Sequence, residues 1–254
     1  MKKSLITIAG FDPSAGAGIL LDLKVFAAFG FHGAAVLTAV TIQDTRRVRD
    51  VVPLPARLVK DQFSTLARDI DIAGIKVGMA GSGENLAAIA EILGAARGIP
   101  KVVDPVFRSS SGARLLDAAA VPGFLAEIRG KASVITPNLE EARRLTGRRV
   151  SDVAGMKRAA EEIYALGRIP CLIKGGHLGG DPVDLLYDGK AFVLFGRPRI
   201  RKDMHGTGCL LSAAILASLA KGKPLVRACE QAAGFVEKAI RKSARVGRGR
   251  PVFS

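Results

Sequence analysis

Short, nearly continuous apolar runs alternate along this chain with segments whose apolar positions recur at helical spacing. LITIAG (5–10) reads as a buried strand, and the Gly-rich FDPSAGAG leads from it into a helix predicted to end near residue 30. HGAAVLTAVTI (32–42) supplies a second strand, 56–69 a helix and AGIKVGM (73–79) a further strand. Residues 85–97 have helical composition, and KVVDP (101–105) ends another short strand. The second half repeats this order. ASVITPN (132–138) is a strand leading into a helix, 151–166 is helical, and PCLIKGG (170–176) is a strand ending in a glycine turn. VDLLYDGKAFVLF (183–195) reads as a hairpin turning at Asp188 and Gly189. Helices near 206–221 and 224–241 close the chain. The first carries Leu211, Ile215 and Leu219 at intervals of four, widened by Leu210, Ala214 and Ala217. Strand, loop and helix in repeated succession predict one layered α/β domain over 1–254 with a largely parallel central sheet. The pattern leaves strand order open and shows no internal repeat. RKSARVGRGR (241–250) is basic and weakly patterned, so about 242–254 is expected to be a solvated tail.

Composition narrows the function classes. A chain of 254 residues, 48% hydrophobic, can bury a substantial core and is not globally disordered. With 5% aromatics and no Trp it offers little stacking surface for nucleic acid. Its 38 Lys and Arg against 23 Asp and Glu give a net charge of +15, which attracts anions generally. The basic residues are scattered through Arg46 to Arg49, Arg143 to Arg149, Arg197 to Lys202 and Arg241 to Arg250, without forming one reading helix. Nucleotides and phosphorylated small molecules explain them more economically than a specific nucleic-acid partner. Cys171, Cys209 and Cys229 are widely spaced with no CxxC pair, which fits a reduced cytoplasmic setting. No uninterrupted apolar segment of about 20 residues predicts membrane insertion.

The chemistry concentrates at strand ends. In MHGTGCLL (204–211) a flexible polar turn meets an apolar helix, whose first amides have no partner and suit a transferring phosphate. Gly206 and Gly208 permit tight geometry, Thr207 adds a hydroxyl, and Cys209 is a candidate proton acceptor. Its position at a helix start is expected to favour the thiolate. Alone, this motif is equally an ordinary loop and helix with a small buried cysteine. Gly10, Asp12, Gly16 and Gly18 lie in the first loop, where small residues admit a flat ligand. Asp22 can accept from an exocyclic amine, Gln43 can donate to and accept from an aminopyrimidine edge, and Met79 and Val106 can cover ring faces. Asp104 and Glu141 are candidate Mg²⁺-side carboxylates, though Glu141 also suits a helix cap. Lys174, before Gly175, Gly176 and His177, can reach a phosphate, and Arg199, Arg201 and Lys202 can steer ATP. No GxxxxGK phosphate loop and no HRD with DFG set is present.

In order, GFDPSAGAGILLDLKVFAAFG, LTAVTIQDT, IKVGMAGS, VVDPVFRSSSG, VITPNLEEARRLTG, CLIKGGH and HGTGCLLSAAI span about residues 5 to 240. The set closely resembles the hydroxymethylpyrimidine/phosphomethylpyrimidine kinase family of thiamin biosynthesis. The resemblance implies a ribokinase-like three-layer α/β/α sandwich, with ATP as phosphate donor, Mg²⁺ as cofactor and a homodimeric assembly. It implies phosphorylation of 4-amino-5-hydroxymethyl-2-methylpyrimidine and then of its monophosphate. Gly10, Asp22, Gln43, Met79 and Val106 would form the pyrimidine pocket, and Asp104 and Glu141 the Mg²⁺ side. Lys174 would reach ATP phosphates, and Gly206, Thr207, Gly208 and Cys209 would form the catalytic turn. FDP stands where TDP or SDP is usual, LLDLK for QADLK, VFRSSSG for VMVAKSG and QDT for QNT. Phe11, Phe107 and Arg108 therefore bear on acceptor choice. Pyridoxine or pyridoxal kinase activity is the enzymatic alternative, and a pyrimidine-binding module without turnover is the non-enzymatic one.

Overall fold

A computed structural model describes every residue except Met1, His177, Gly180 and Ser254, so the last residue of CLIKGGH lies outside the described residues. Nine strands form one sheet in the order β3-β2-β1-β4-β5-β6-β7-β8-β9. Its parallel body comprises β1 (Ser4–Phe11), β2 (His32–Gln43), β4 (Ile72–Val77), β5 (Lys101–Val103), β6 (Val134–Ile135) and β7 (Cys171–Ile173). Antiparallel β3 (Val48–Pro53) closes one edge, and β8 (Val183–Tyr187) with β9 (Phe192–Gly196) closes the other. The latter pair is the hairpin anticipated around Asp188 and Gly189.

The apolar runs are continuous because helices cover both faces of the sheet. Ile6, Ile8, Val103, Ile135, Cys171 and Ile173 point to a core shared with α2 (Ala56–Asp69), α3 (Gly83–Ala95), α4 (Phe124–Glu127), α5 (Leu139–Thr146) and α6 (Val153–Gly167). Their neighbours Leu5, Val102, Val134 and Leu172 point to the opposite core, with α1 (Gly18–Ala28), α7 (Thr207–Ala220) and α8 (Leu225–Lys242). This is the anticipated three-layer sandwich. Helix α7 is buried along most of its length, which fixes its N-terminus against the strand ends. Among the described residues, no helix is long and apolar enough to cross a membrane.

Two features depart from the sequence reading. Strand β3 was not anticipated, because VRDVVP has exposed charges and pairs on one side only. The terminal segment is not a solvated tail. Val252 is buried and exchanges backbone hydrogen bonds with Ala244 at 3.1 and 2.9 Å, while the Phe253 ring packs 5.8 Å from that of Phe235. The segment then straps the β2–β3 turn, where the Gly249 amide donates to Thr45 Oγ1 at 3.0 Å and the Arg250 amide to Thr45 O at 3.2 Å. Two apolar residues, backbone bonds and the Arg250–Asp203 ion pair hold it, none of which registers as periodicity.

Candidate active site

Parallel strands carry their loops to one end, and there β1, β4, β5, β6 and β7 present chain segments remote in sequence. The start of α7 lies among them. Gly206 precedes this helix at φ +81°, and a Cβ built there would stand 2.0 Å from the carbonyl oxygen of Gly16. Only glycine lets the first loop and the helix start approach so closely. Thr207, Gly208 and Cys209 follow as the first helical residues, whose amides the helix itself leaves without acceptors. A Cβ at Gly208 would lie 3.1 Å from Lys174 Nζ and 3.6 Å from Asp104 Oδ2, so this turn faces the lysine and the carboxylate directly.

Lys174 Nζ donates to Asp104 Oδ1 at 2.8 Å and lies 3.9 Å from Glu141 Oε2. Burial alone would lower the lysine's pKa, but Asp104 and Glu141 outweigh it and raise the value. Thr136 Oγ1 also donates to Asp104 Oδ1, at 3.0 Å. Glu141 takes the helix-cap role foreseen for it and stands beside Lys174. It caps α5 by accepting from the Asn138 amide at 2.7 Å while its own amide donates to Asn138 Oδ1 at 2.9 Å, and it also lines the site. Burial, with repulsion from Asp104, pushes its carboxyl up to about 7 against the pull of Lys174.

Two cavities meet here. The larger, about 730 Å³, is lined by Gly10, Gln43, Met79, Asp104, Val106 and Glu141 together with Lys174 and the turn Gly206, Thr207, Gly208 and Cys209. The smaller, about 310 Å³, runs between α7, α8 and the loop after β9, past Pro198, Ile200, Leu211, Val236 and Ile240. Asn138, Lys174, Thr207 and Gly208 belong to both. Gly10 packs against Met79, since a Cβ there would stand 2.8 Å from Met79 Sδ and push that side chain aside.

Asp22 is the exception among the anticipated pocket residues. It is 0% exposed beneath the cavity, where Oδ2 accepts from Thr7 Oγ1 at 2.6 Å and Lys76 Nζ at 2.8 Å. Its carboxylate supports a buried lysine and does not line the cavity. Lys76 itself lines the cavity and was not singled out beforehand. The signal was present, because a lysine inside the apolar strand AGIKVGM must find a partner. Burial lowers its pKa, yet Asp22, then Cys209 and Asp104, raise it further, so the ammonium stays charged.

His205 was also missed. Its Nε2 lies 3.2 Å from Gln43 Nε2 and 3.3 Å from Asp12 Oδ2. Asp12 further accepts from the Ser14 amide at 2.8 Å and its hydroxyl at 2.7 Å. Burial would raise the Asp12 carboxyl, but hydrogen bonds from His205 and Ser14 bring it below its ordinary value. The expected Cys209 thiolate needs correcting. Desolvation pushes this thiol up, Asp22 and Asp104 add to the shift, and Lys76 opposes it, leaving a neutral thiol at rest.

Two cavities joined at a helix start, at the carboxyl ends of a parallel sheet between helix layers, suit two ligands meeting at one anion-binding turn, and the related proteins give the class, a small-molecule kinase of the ribokinase-like fold. A family profile described as phosphomethylpyrimidine kinase matches residues 12–253. The chain belongs to that family. A hydroxymethylpyrimidine/phosphomethylpyrimidine kinase from Aquifex aeolicus is 41% identical over 246 residues, covering 96% of each chain. The solved phosphomethylpyrimidine kinase of Clostridium difficile superposes with a TM-score of 0.83 at 38% identity, covering 94% of this chain and 100% of its own. The pyridoxal kinase of Staphylococcus aureus in complex with pyridoxal gives 0.90 at 33% identity, covering 100% and 93%. Family and fold agree with the resemblance drawn from the ordered motifs.

Proposed function

We propose that this kinase transfers the terminal phosphoryl group of ATP first to the hydroxyl of 4-amino-5-hydroxymethyl-2-methylpyrimidine and then to the resulting monophosphate, in thiamin biosynthesis. The observation that carries the reading is the shared wall, which brings an acceptor cavity and a second, apolar slot to the same unpaired amides and the same lysine. The slot suits a nucleotide base. Gln43 suits the amino edge of the pyrimidine, and Met79 and Val106 suit its faces. Alignment of acceptor and polyphosphate across the wall supplies the proximity that phosphoryl transfer needs, while the helix-start amides and Lys174 answer charge developing on phosphate oxygens. Cys209 accepts the alcohol's proton once it is itself deprotonated, which the Lys76 charge favours.

The residues present also fit Mg²⁺. Among the described residues no group of three or more His, Cys, Asp or Glu could hold a metal alone. Mg²⁺, however, commonly takes one or two carboxylates, with phosphate oxygens and waters completing its shell. Asp104 and Glu141 offer such a pair beside Lys174, two buried carboxylates whose mutual repulsion a divalent cation would relieve. Bound there, the ion supplies charge neutralisation to the polyphosphate.

The reading includes a homodimer in the cytoplasm. Val40, Ile42 and Val52 are 39, 55 and 51% exposed on the β2–β3 edge, an apolar surface that a second copy would cover. Pyridoxal phosphorylation is a second reading, favoured by the TM-score of 0.90 to a pyridoxal kinase. One experiment separates them: purified protein with Mg-ATP and either pyrimidine acceptor, pyridoxal or pyridoxine, with products identified by mass. Diphosphate from the pyrimidine is expected, and no product from either pyrimidine acceptor would overturn the assignment.

A further inference from the structure

We infer that Lys76 admits the negatively charged acceptor of the second phosphorylation, so that the two steps depend on different side chains: the alcohol step on Cys209, the monophosphate step on Lys76. The inference rests on the proposed pyrimidine kinase function and deepens it. Lys76 is 0% exposed, yet it lines the acceptor cavity together with Cys209. Its Nζ makes one hydrogen bond among the described residues, to Asp22 Oδ2 at 2.8 Å, leaving ammonium donors over. A Cβ on Gly78 would stand 2.8 Å from that Nζ, so a larger residue there would crowd the ammonium. The ion pair beneath is itself incomplete, because Asp22 Oδ1 is buried with no hydrogen-bond partner.

The other cations around this cavity are placed differently. Arg108, Arg143, Arg149 and Arg250 are exposed at its edge, where water weakens their pull, and half-buried Arg144 is ion-paired with Glu140 Oε1 at 2.9 Å. Arg143 is engaged by Glu140 at 2.7 Å and Arg250 by Asp203 at 3.0 Å. Lys174 serves Asp104 and Glu141 on the donor side. Lys76 is the buried ammonium on the acceptor side.

The two acceptors make opposite demands. The alcohol is neutral and must lose a proton, which requires a base. The monophosphate carries a charge of about −1.5 to −2 at pH 7 and must approach an anionic polyphosphate. In that step a non-bridging oxygen of the acceptor phosphate bonds to the terminal phosphorus of ATP. The bond from that phosphorus to the bridging oxygen breaks, and ADP leaves with the electron pair. The dianionic acceptor has no proton to give up. A buried ammonium therefore matters more than a base.

The test uses Asp22→Asn/Lys76→Met, which removes both charges and avoids stranding either one. Each acceptor is supplied separately with Mg-ATP, and ADP release and phosphorus NMR are followed. Loss of a charged hydrogen bond predicts a fall in kcat/KM for the monophosphate of about 10- to 100-fold, well beyond any fall for the alcohol, because the variant removes Asp22, which raises the Cys209 thiol, together with Lys76, which lowers it. Cys209→Ala is expected to show the reverse preference. Equal losses on both acceptors, or an intact monophosphate step, would refute the role of Lys76. Wild-type protein that phosphorylates neither acceptor would instead overturn the functional reading, and this inference with it. A crystal structure of the wild type with the monophosphate gives a check independent of the variant's folding. Lys76 Nζ is expected about 3 Å from an acceptor phosphate oxygen, and protein or water between them would sink the idea.

Discussion

Gly206→Ala tests whether the helix start and the first loop form one device. Two costs add. Alanine at φ +81° is unfavourable by about 1–2 kcal/mol. Its Cβ would also stand 2.0 Å from Gly16 O and 2.7 Å from Leu21 Cδ2, overpacking of a kind that costs about 1–3 kcal/mol. The Gly16 contact is with backbone, so it is relieved only by moving the first loop away from α7. Together these give roughly 2–5 kcal/mol, or a Tm lower by roughly 4–20 °C for a chain of this size. A displacement near 1 Å at the reacting atoms also lowers turnover by about 100-fold. Gly208→Ala is the control. Its Cβ meets the flexible end of Lys174 at 3.1 Å and Asp104 Oδ2 at an ordinary 3.6 Å, and alanine favours a helix by about 1 kcal/mol, so Tm should hold or rise while turnover falls. Thermal unfolding by circular dichroism and initial rates with saturating ATP measure both. A Gly206→Ala protein with unchanged Tm and full activity would refute the argument.

Three further outcomes are expected. Because burial holds the Cys209 thiol above its ordinary range, thiolate grows as pH rises, so alcohol turnover should climb on the alkaline side; Cys209→Ala should lose that limb while keeping its ATP affinity. Chelation should abolish ADP release and added Mg²⁺ restore it, and Glu141→Gln should raise the Mg²⁺ needed for half-maximal rate about tenfold or more, a titration that an unchanged requirement would contradict. Truncation before Ala244 removes buried Val252 and the bond from the His205 amide to Pro251 O at 2.9 Å. Tm should drop, and KM for the pyrimidine should rise more than KM for ATP, as steady-state kinetics would show.

What could be read in advance follows from what each residue contacts. Strands β1 and β7 announced themselves because burial on both faces makes their runs almost wholly apolar, and α7 because apolar residues recur along the helix. Strand β3 was hidden by the charges of an edge, and the terminal strap by its dependence on two apolar side chains, backbone bonds and one ion pair. Within the site, residues next to distinctive turns were legible: Gly10, Lys174 and the run from Gly206 to Cys209 all line the cavity. Asp22 was misplaced for a physical reason. A carboxylate on the helix after the first loop looks available until Lys76, on a different strand, claims it. His205 stood inside the most informative motif, yet its role depends on Asp12 and Gln43 from the other end of the chain. Such pairings are products of sheet order, which local pattern does not encode.

Asn138, Lys174, Thr207 and Gly208 stand in both cavities, whereas Gln43, Met79 and Val106 line only the larger one. Under the proposed function, changing the latter should re-address the catalyst to other heteroaromatic alcohols while the smaller cavity keeps its lining. Diversification and engineering are thereby channelled to one side of the partition, and alterations in the partition itself burden every substrate alike.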